Sequence, residues 1–398
     1  MRVVTTTGLL VVGLVSVAGA PGRTADPTVD PTADPTVDPT VVSAGHTAGH
    51  TAGHTAGRTA GSSPRRPPKP AAARGDSDTD PLAHEACVRC HPDQAAQWLG
   101  SPHQTSFGEA TFQAAFALEP RGFCRRCHAP ELDPGRPPTE ATAALGIACT
   151  TCHLHEGAVL AAPRPADASP PAGPPAPHAI SRTAVFATAE ACARCHEFPF
   201  PDAGLRDRPL AMQRTITEHA ASRFADRSCA DCHMPLDDAG RRSHAFVASR
   251  DPALVRAAVR IAAVRTGPTT LRLTLRPGEV GHAFPTGDLL RRLEVGAAAV
   301  LGDGESPPQR RFLARHFGDR VQQSGARMRV ELHDDRVPPT GTRVVELEIP
   351  QAEGRPIRWW VEYQRVAHQR TFHEADAALD GAISLAGGTL PAHSESPP

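Results

Sequence analysis

Every cysteine of the 398-residue chain stands in one of five Cys-x-x-Cys-His motifs: Cys87-Val88-Arg89-Cys90-His91, Cys124-Arg125-Arg126-Cys127-His128, Cys149-Thr150-Thr151-Cys152-His153, Cys192-Ala193-Arg194-Cys195-His196 and Cys229-Ala230-Asp231-Cys232-His233. Two thiols three residues apart, followed at once by an imidazole, form the attachment signature of c-type haem. The thiols bond to the two porphyrin vinyl groups, and the histidine reaches the iron from the proximal side. A zinc site would need further ligands to close each pair and would not demand the histidine. Thioredoxin-like chemistry needs one motif in a βαβ setting, and disulfide frameworks do not repeat one local spacing five times. The sequence therefore predicts five haem c groups, with His91, His128, His153, His196 and His233 as proximal iron ligands.

The elements that position these motifs are expected to be short. Residues 81–250 are poor in core-forming side chains and broken by proline-rich stretches such as Ala161–Pro177. Helical pieces are predicted at Pro92–Gly100, Thr139–Leu145 and Pro209–Ala225, joined by loops. A region of this size and composition has little with which to build a core from side chains alone. Five flat, apolar porphyrins would supply the missing body.

Upstream, Met1–Ala20 reads as a secretory signal: Arg2, an apolar run from Leu9 to Val17, then Ala18-Gly19-Ala20. A retained N-terminal anchor is the alternative, and no later stretch is long and apolar enough to span a bilayer. Export, to the periplasm or beyond, agrees with attachment of c-type haem outside the cytoplasm. Residues 21–80 carry Asp-Pro-Thr and Ala-Gly-His-Thr repeats that cannot bury a core, so a disordered tether is expected, His46, His50 and His54 included.

After Ala253 the pattern changes to alternation. Ala257–Val264, Thr270–Arg276, Leu293–Val300, Arg329–Leu332, Val344–Ile349 and Ile357–Tyr363 read as β-strands bounded by Gly, Pro and Asp. Strands at that spacing without intervening helices predict a β-sandwich-like domain over 251–380, followed by a flexible tail at 381–398. The fold class expected is α+β: a mainly-α, loop-rich haem domain (81–250), then the β-domain.

The sixth iron ligand sets each haem's chemistry. Only four methionines exist: Met1 leaves with the signal, and Met234 adjoins a proximal histidine. Five His/Met haems are thus impossible, and distal histidines are expected, which implies lower potentials. The candidates outside the motifs are His84, His103, His155, His178, His219, His244 and His282. His103, His178, His244 and His282 rank first and His219 next; the sequence does not say which serves which haem.

Trp98-x-x-Ser101-Pro102-His103, Gly146-Ile147-x-Cys149-Thr150-Thr151-Cys152-His153, Cys232-His233-Met234-Pro235 with Ser243-His244-Ala245-Phe246, and Gly281-His282-Ala283-Phe284-Pro285-Thr286-Gly287 resemble stretches of multihaem c-type cytochromes. The resemblance, spanning roughly 84–300, is to those related to the tetrahaem cytochrome that accepts electrons from hydroxylamine oxidoreductase. It implies distal-ligand roles for His103 and His244. The fifth motif and the β-domain depart from that family.

Two functions follow from this chemistry. One is a relay that passes electrons between redox partner proteins through bis-histidine haems. The other is a multihaem oxidoreductase acting on a small nitrogen or sulfur compound at a five-coordinate haem. Lys69, in the linker, is the sole lysine and Tyr363 the sole tyrosine, which disfavours lysine-ligated and tyrosine-modified catalytic haems. A third role is docking, with the β-domain holding the haem domain against a partner; of the adjacent Trp359 and Trp360, one ring is expected in the core. Arginine supplies all but one of the 42 basic residues, and those near the motifs suit haem propionates or solvent alike. A formal net charge of −1 offers no case for nucleic acid or a membrane surface.

Overall fold

Short helices carry the first half of the chain and strands the second. The computed structural model describes residues 81–132, 137–164, 175–205, 208–238, 240–321, 325 and 327–393. The expected signal, tether and His46–His54 repeat lie outside them. The helices are α1 (Pro81–Cys90), α2 (Pro92–Trp98), α3 (Ala110–Leu118), α4 (Gly122–His128), α5 (Glu140–Ala143), α6 (Cys149–His153), α7 (Glu190–His196), α8 (Thr215–Ala220), α9 (Ala230–His233) and α10 (Pro252–Ala257). Side chains bonded to backbone N–H groups start several of them. Glu109 accepts from Phe112, Thr139 and Thr142 form a capping box, and Asp251 accepts from Leu254 one residue ahead of Pro252.

Three small strands, β1 (Leu154–His155), β2 (Ala158–Ala161) and β3 (Ile180–Arg182), form one sheet. Next, β4 (Glu197–Leu205) pairs with β5 (Arg208–Arg214). This corrects the single helix expected over Pro209–Ala225. Its first part is a strand, and helix α8 begins only at Thr215, where the Glu197 carboxylate accepts from the N–H groups of Ile216 and Thr217 at 3.0 and 3.2 Å. A distant residue caps this helix, which local periodicity does not reveal.

The remaining strands are β6 (Val259–Arg265), β7 (Thr270–Pro277), β8 (Arg291–Leu301), β9 (Gly304–Glu305), β10 (Gln309–Leu313), β11 (Arg315–Val321), β12 (Arg327–Asp334), β13 (Arg343–Glu348), β14 (Ile357–Val366) and β15 (Leu379–Leu390). All six sequence-read strands are present. β13, β7 and β6 make one antiparallel sheet; β10, β8, β14 and β15 make another, with β9 on β8. Alternation buries Leu271, Leu273 and Leu275 of β7 against Leu293, Val295, Ala297 and Ala299 of β8 and Val361 and Tyr363 of β14. Two sheets closing on one core make the expected sandwich. Trp359 packs against that core, while Trp360 lies over Gly296 and donates to Glu294 at 3.0 Å.

Gly381–Leu390, expected in a flexible tail, is instead the greater part of β15, paired to β14 along its length. Gly387 and Gly388 let it pass close to the tryptophans: a Cβ at Gly387 would sit 3.1 Å from the Trp359 carbonyl oxygen. Apolar burial is strongly uneven. Among the described residues before 251, only Trp98, Phe107, Ala129, Ala148 and Leu210 are buried apolar side chains. The described residues of the helical part lack a side-chain core of their own, as the composition predicted.

Candidate haem-binding site

Each motif occupies the last turn of a helix, α1, α4, α6, α7 or α9. There the two cysteines, three residues apart, share a face, and the histidine follows one residue on. None of the ten cysteines is paired in a disulfide. The motifs are packed together: Cys127 lies within hydrogen-bonding reach of Cys195, and Cys192 within reach of Cys229. Burial pushes the Cys149 and Cys152 thiols up to about 11.

Four motif histidines are fixed through Nδ1. His128 donates to the Ser106 carbonyl at 2.9 Å, His153 to Leu160 at 2.8 Å and His233 to Val247 at 2.7 Å. His196 donates to Gln213 Oε1 at 3.2 Å. A neutral imidazole that donates from Nδ1 keeps its lone pair on Nε2, which sets both tautomer and direction for a metal. Two of the candidate distal histidines are fixed in the same way: His244 donates to the Arg242 carbonyl and His282 to the Ala283 carbonyl, each at 3.0 Å.

These two face motif histidines. The His153 and His244 ring centroids are 6.2 Å apart with planes at 36°, and those of His233 and His282 are 6.3 Å apart at 12°. Half of either separation leaves about 2 Å for the nitrogen–metal bond once the ring itself is spanned, the ordinary length for imidazole on a metal ion. The spacing would suit one metal ion between each pair. Burial lowers His244, and burial pulls His282 down to about 4.

His103 is also held low, to about 4, by burial, with His196 and His233 nearby. Its ring lies 4.0 Å from Phe246, a non-glycine residue at φ 49°. Left-handed backbone at an aromatic residue is costly, and here it carries Phe246 onto His103 and edge-on to His244, 5.9 Å away. Of the other two candidates, His178 is exposed and His219 is half-buried against Gly281.

His84 is among the unranked candidates, whereas Glu218, Arg336 and Asp334 escaped sequence reasoning. His84 is buried, its ring 4.7 Å from Trp98, and its Nδ1 has no partner. It sits one turn before Cys87 on α1, a spacing that marks a shared helix face. Glu218, buried on α8, accepts from Ala283 N–H at 3.2 Å, from Thr286 Oγ1 at 3.0 Å and from Arg336 at 2.5 Å. It thereby fixes the loop that presents His282. Arg336 also pairs with Asp334 at 2.8 Å, and Arg214 with Asp334 at 2.5 Å. Burial works against the Asp334 charge, but these guanidiniums win and hold its carboxyl down at about 2.

Five attachment motifs on helix ends, with histidine rings paired at metal-spanning distance, define a multihaem c-type cytochrome. Residues 86–154, which hold the first three motifs, match the family model described as cytochrome c554 and c-prime. The chain thus carries the motifs of a multihaem c-type cytochrome, and its first haem-binding segment is similar to that family. Among solved structures, a penta-heme cytochrome c552 from Thermochromatium tepidum is similar at 19% identity with a TM-score of 0.58, over 77% of this chain and 98% of that one. No curated protein matches the chain. Among the described residues, no helix is long and apolar enough to cross a membrane.

Proposed function

We propose that the protein is an exported, periplasmic pentahaem cytochrome c that relays electrons between redox partner proteins. The observation that carries this reading is the pair of facing histidines, His153 with His244 and His233 with His282, at 6.2 and 6.3 Å. Iron closed by histidine on both sides has no open position for a substrate and exchanges electrons with little rearrangement. Covalently bound haem supplies the one-electron chemistry. The chain's own residues hold tautomers, exclude water and fix ring orientation. His103 serves as a further distal ligand beside His196. The likeness to a penta-heme protein supports a count of five, and the apolar run after Arg2 supports export.

A pyridine haemochrome assay on protein purified from an exporting host tests the proposal. Five haem c per chain is the expected result. Fewer than five, or haem only in a cytoplasmic fraction, contradicts it.

A further inference from the structure

Away from the haem motifs, polar side chains converge at one end of the β11–β12 ribbon. His316 and His333 stand directly opposite each other in its register, so their rings leave the same face. The rings stack with centroids 4.1 Å apart and planes at 16°. Asp335, just past β12, is oriented by the Ala314 N–H, which donates to its Oδ1 at 2.7 Å. The same oxygen lies 3.0 Å from His316 Nε2, and Oδ2 lies 3.9 Å from His333 Nε2. His373, from the segment after β14, stacks on His316 at 5.2 Å.

One ligand atom each from His316, His333 and Asp335 falls within 4.8 Å of the other two. The donor atoms of a tetrahedral zinc ion are about 3.3 Å apart when its bonds are about 2.0–2.1 Å long. The observed 3.0 and 3.9 Å bracket that edge, and His333, 59% exposed, is free to close the longer one. Imidazole nitrogens with one carboxylate form a borderline donor set, suited to zinc and its neighbours rather than to calcium or magnesium.

We propose that His316, His333 and Asp335 bind a divalent first-row transition cation, with water to complete the set. The site would cross-link β11 and the end of β12, where His373, whose neighbour Phe372 is buried in a core cluster, stacks on His316. A two-stranded ribbon is marginal by itself. This one matters to the haem part, because Arg315 of β11 donates to the carbonyls of Ala211 and Met212 at 2.7 and 2.8 Å, beside the Gln213 that orients His196. The cation would steady that mount without touching a haem.

The test is calorimetric titration of the haem-loaded protein with Zn²⁺ after chelator treatment, followed by hydrogen exchange over 315–334. The expected result is one tight equivalent per chain that protects the ribbon amides. That equivalent should be weakened at least ten-fold in His316→Gln and in His333→Gln, with the haem absorbance unchanged; the exposed position of His333 leaves the fold intact in its variant. Uptake equal in the wild type and both variants, as binding by the His46–His54 repeat alone would give, overturns the proposal. So does the absence of tight uptake.

Discussion

At the residue scale the account rests on histidines whose far nitrogen is tied to the backbone. His282 is the sharpest case, because it belongs to the loop that opens the β-domain yet faces His233 of the fifth motif. Replacing it with Met exchanges an imidazole for a thioether and should raise the potential of one haem. A redox titration that superimposes on the wild type would remove His282 from the ligand set. The neighbouring ion pair makes a second demand. Arg336 and Glu218 are both almost fully buried, with 4% and 8% of their side chains exposed. Arg336→Ala leaves a buried carboxylate without its main partner, and such a loss costs about 3–5 kcal/mol. Chemical denaturation of the haem-loaded variant measures this; a change below about 1 kcal/mol would show that the pair contributes little.

At the element scale, the junction between haem part and β-domain is held by arginine. Arg250 bonds to Glu109 at the start of α3, at 3.1 Å, and to Asp380 of β15, at 2.9 Å; Arg365 meets Asp380 at 3.1 Å. Burial would raise the Asp380 carboxyl, but the hydrogen bond from Arg365 and the charges of Arg250, Arg365 and Arg291 bring it below its ordinary value. A carboxylate lowered in the folded state contributes stability that is full above its unfolded pKa, about 3.9, and is lost as pH falls through the folded value. Hydrogen-exchange protection in β15 should therefore fall below about pH 4, and Asp380→Asn should show the lower protection already at neutral pH. Equal exchange in the variant at neutral pH would refute this clamp. The sequence displayed the sandwich strands because alternation is a local signal. It did not display β15, whose Gly-Gly and small residues resemble a tail until the tryptophans they pass beneath are known. Nor did it display the start of α8, because Glu197 caps that helix from eighteen residues upstream of Thr215.

At the scale of the whole molecule, the two halves reach stability by different means. The β-sandwich encloses a continuous apolar cluster, whereas the described helical part buries five apolar side chains. The motif helices would therefore depend on haem for their packing. Protein made without haem attachment should keep its strands and lose its helices' tertiary order. Circular dichroism with limited proteolysis checks this: cleavage confined to residues before 251 is expected, and an equally resistant haem part would contradict it. The motifs themselves were fully legible, since covalent chemistry fixes their spacing. Which histidine meets which motif was not, because His153 and His244 are brought together by folding over ninety intervening residues.

Low-temperature electron paramagnetic resonance of the oxidised, haem-loaded protein bears most directly on the claim that these irons are closed by paired histidines. Low-spin ferric signals should dominate. The nearly parallel rings of His233 and His282 should give a rhombic spectrum, and the more crossed rings of His153 and His244 a more anisotropic one. A mainly high-spin spectrum that shifts on adding nitrite or hydroxylamine would contradict the relay and make the protein an enzyme.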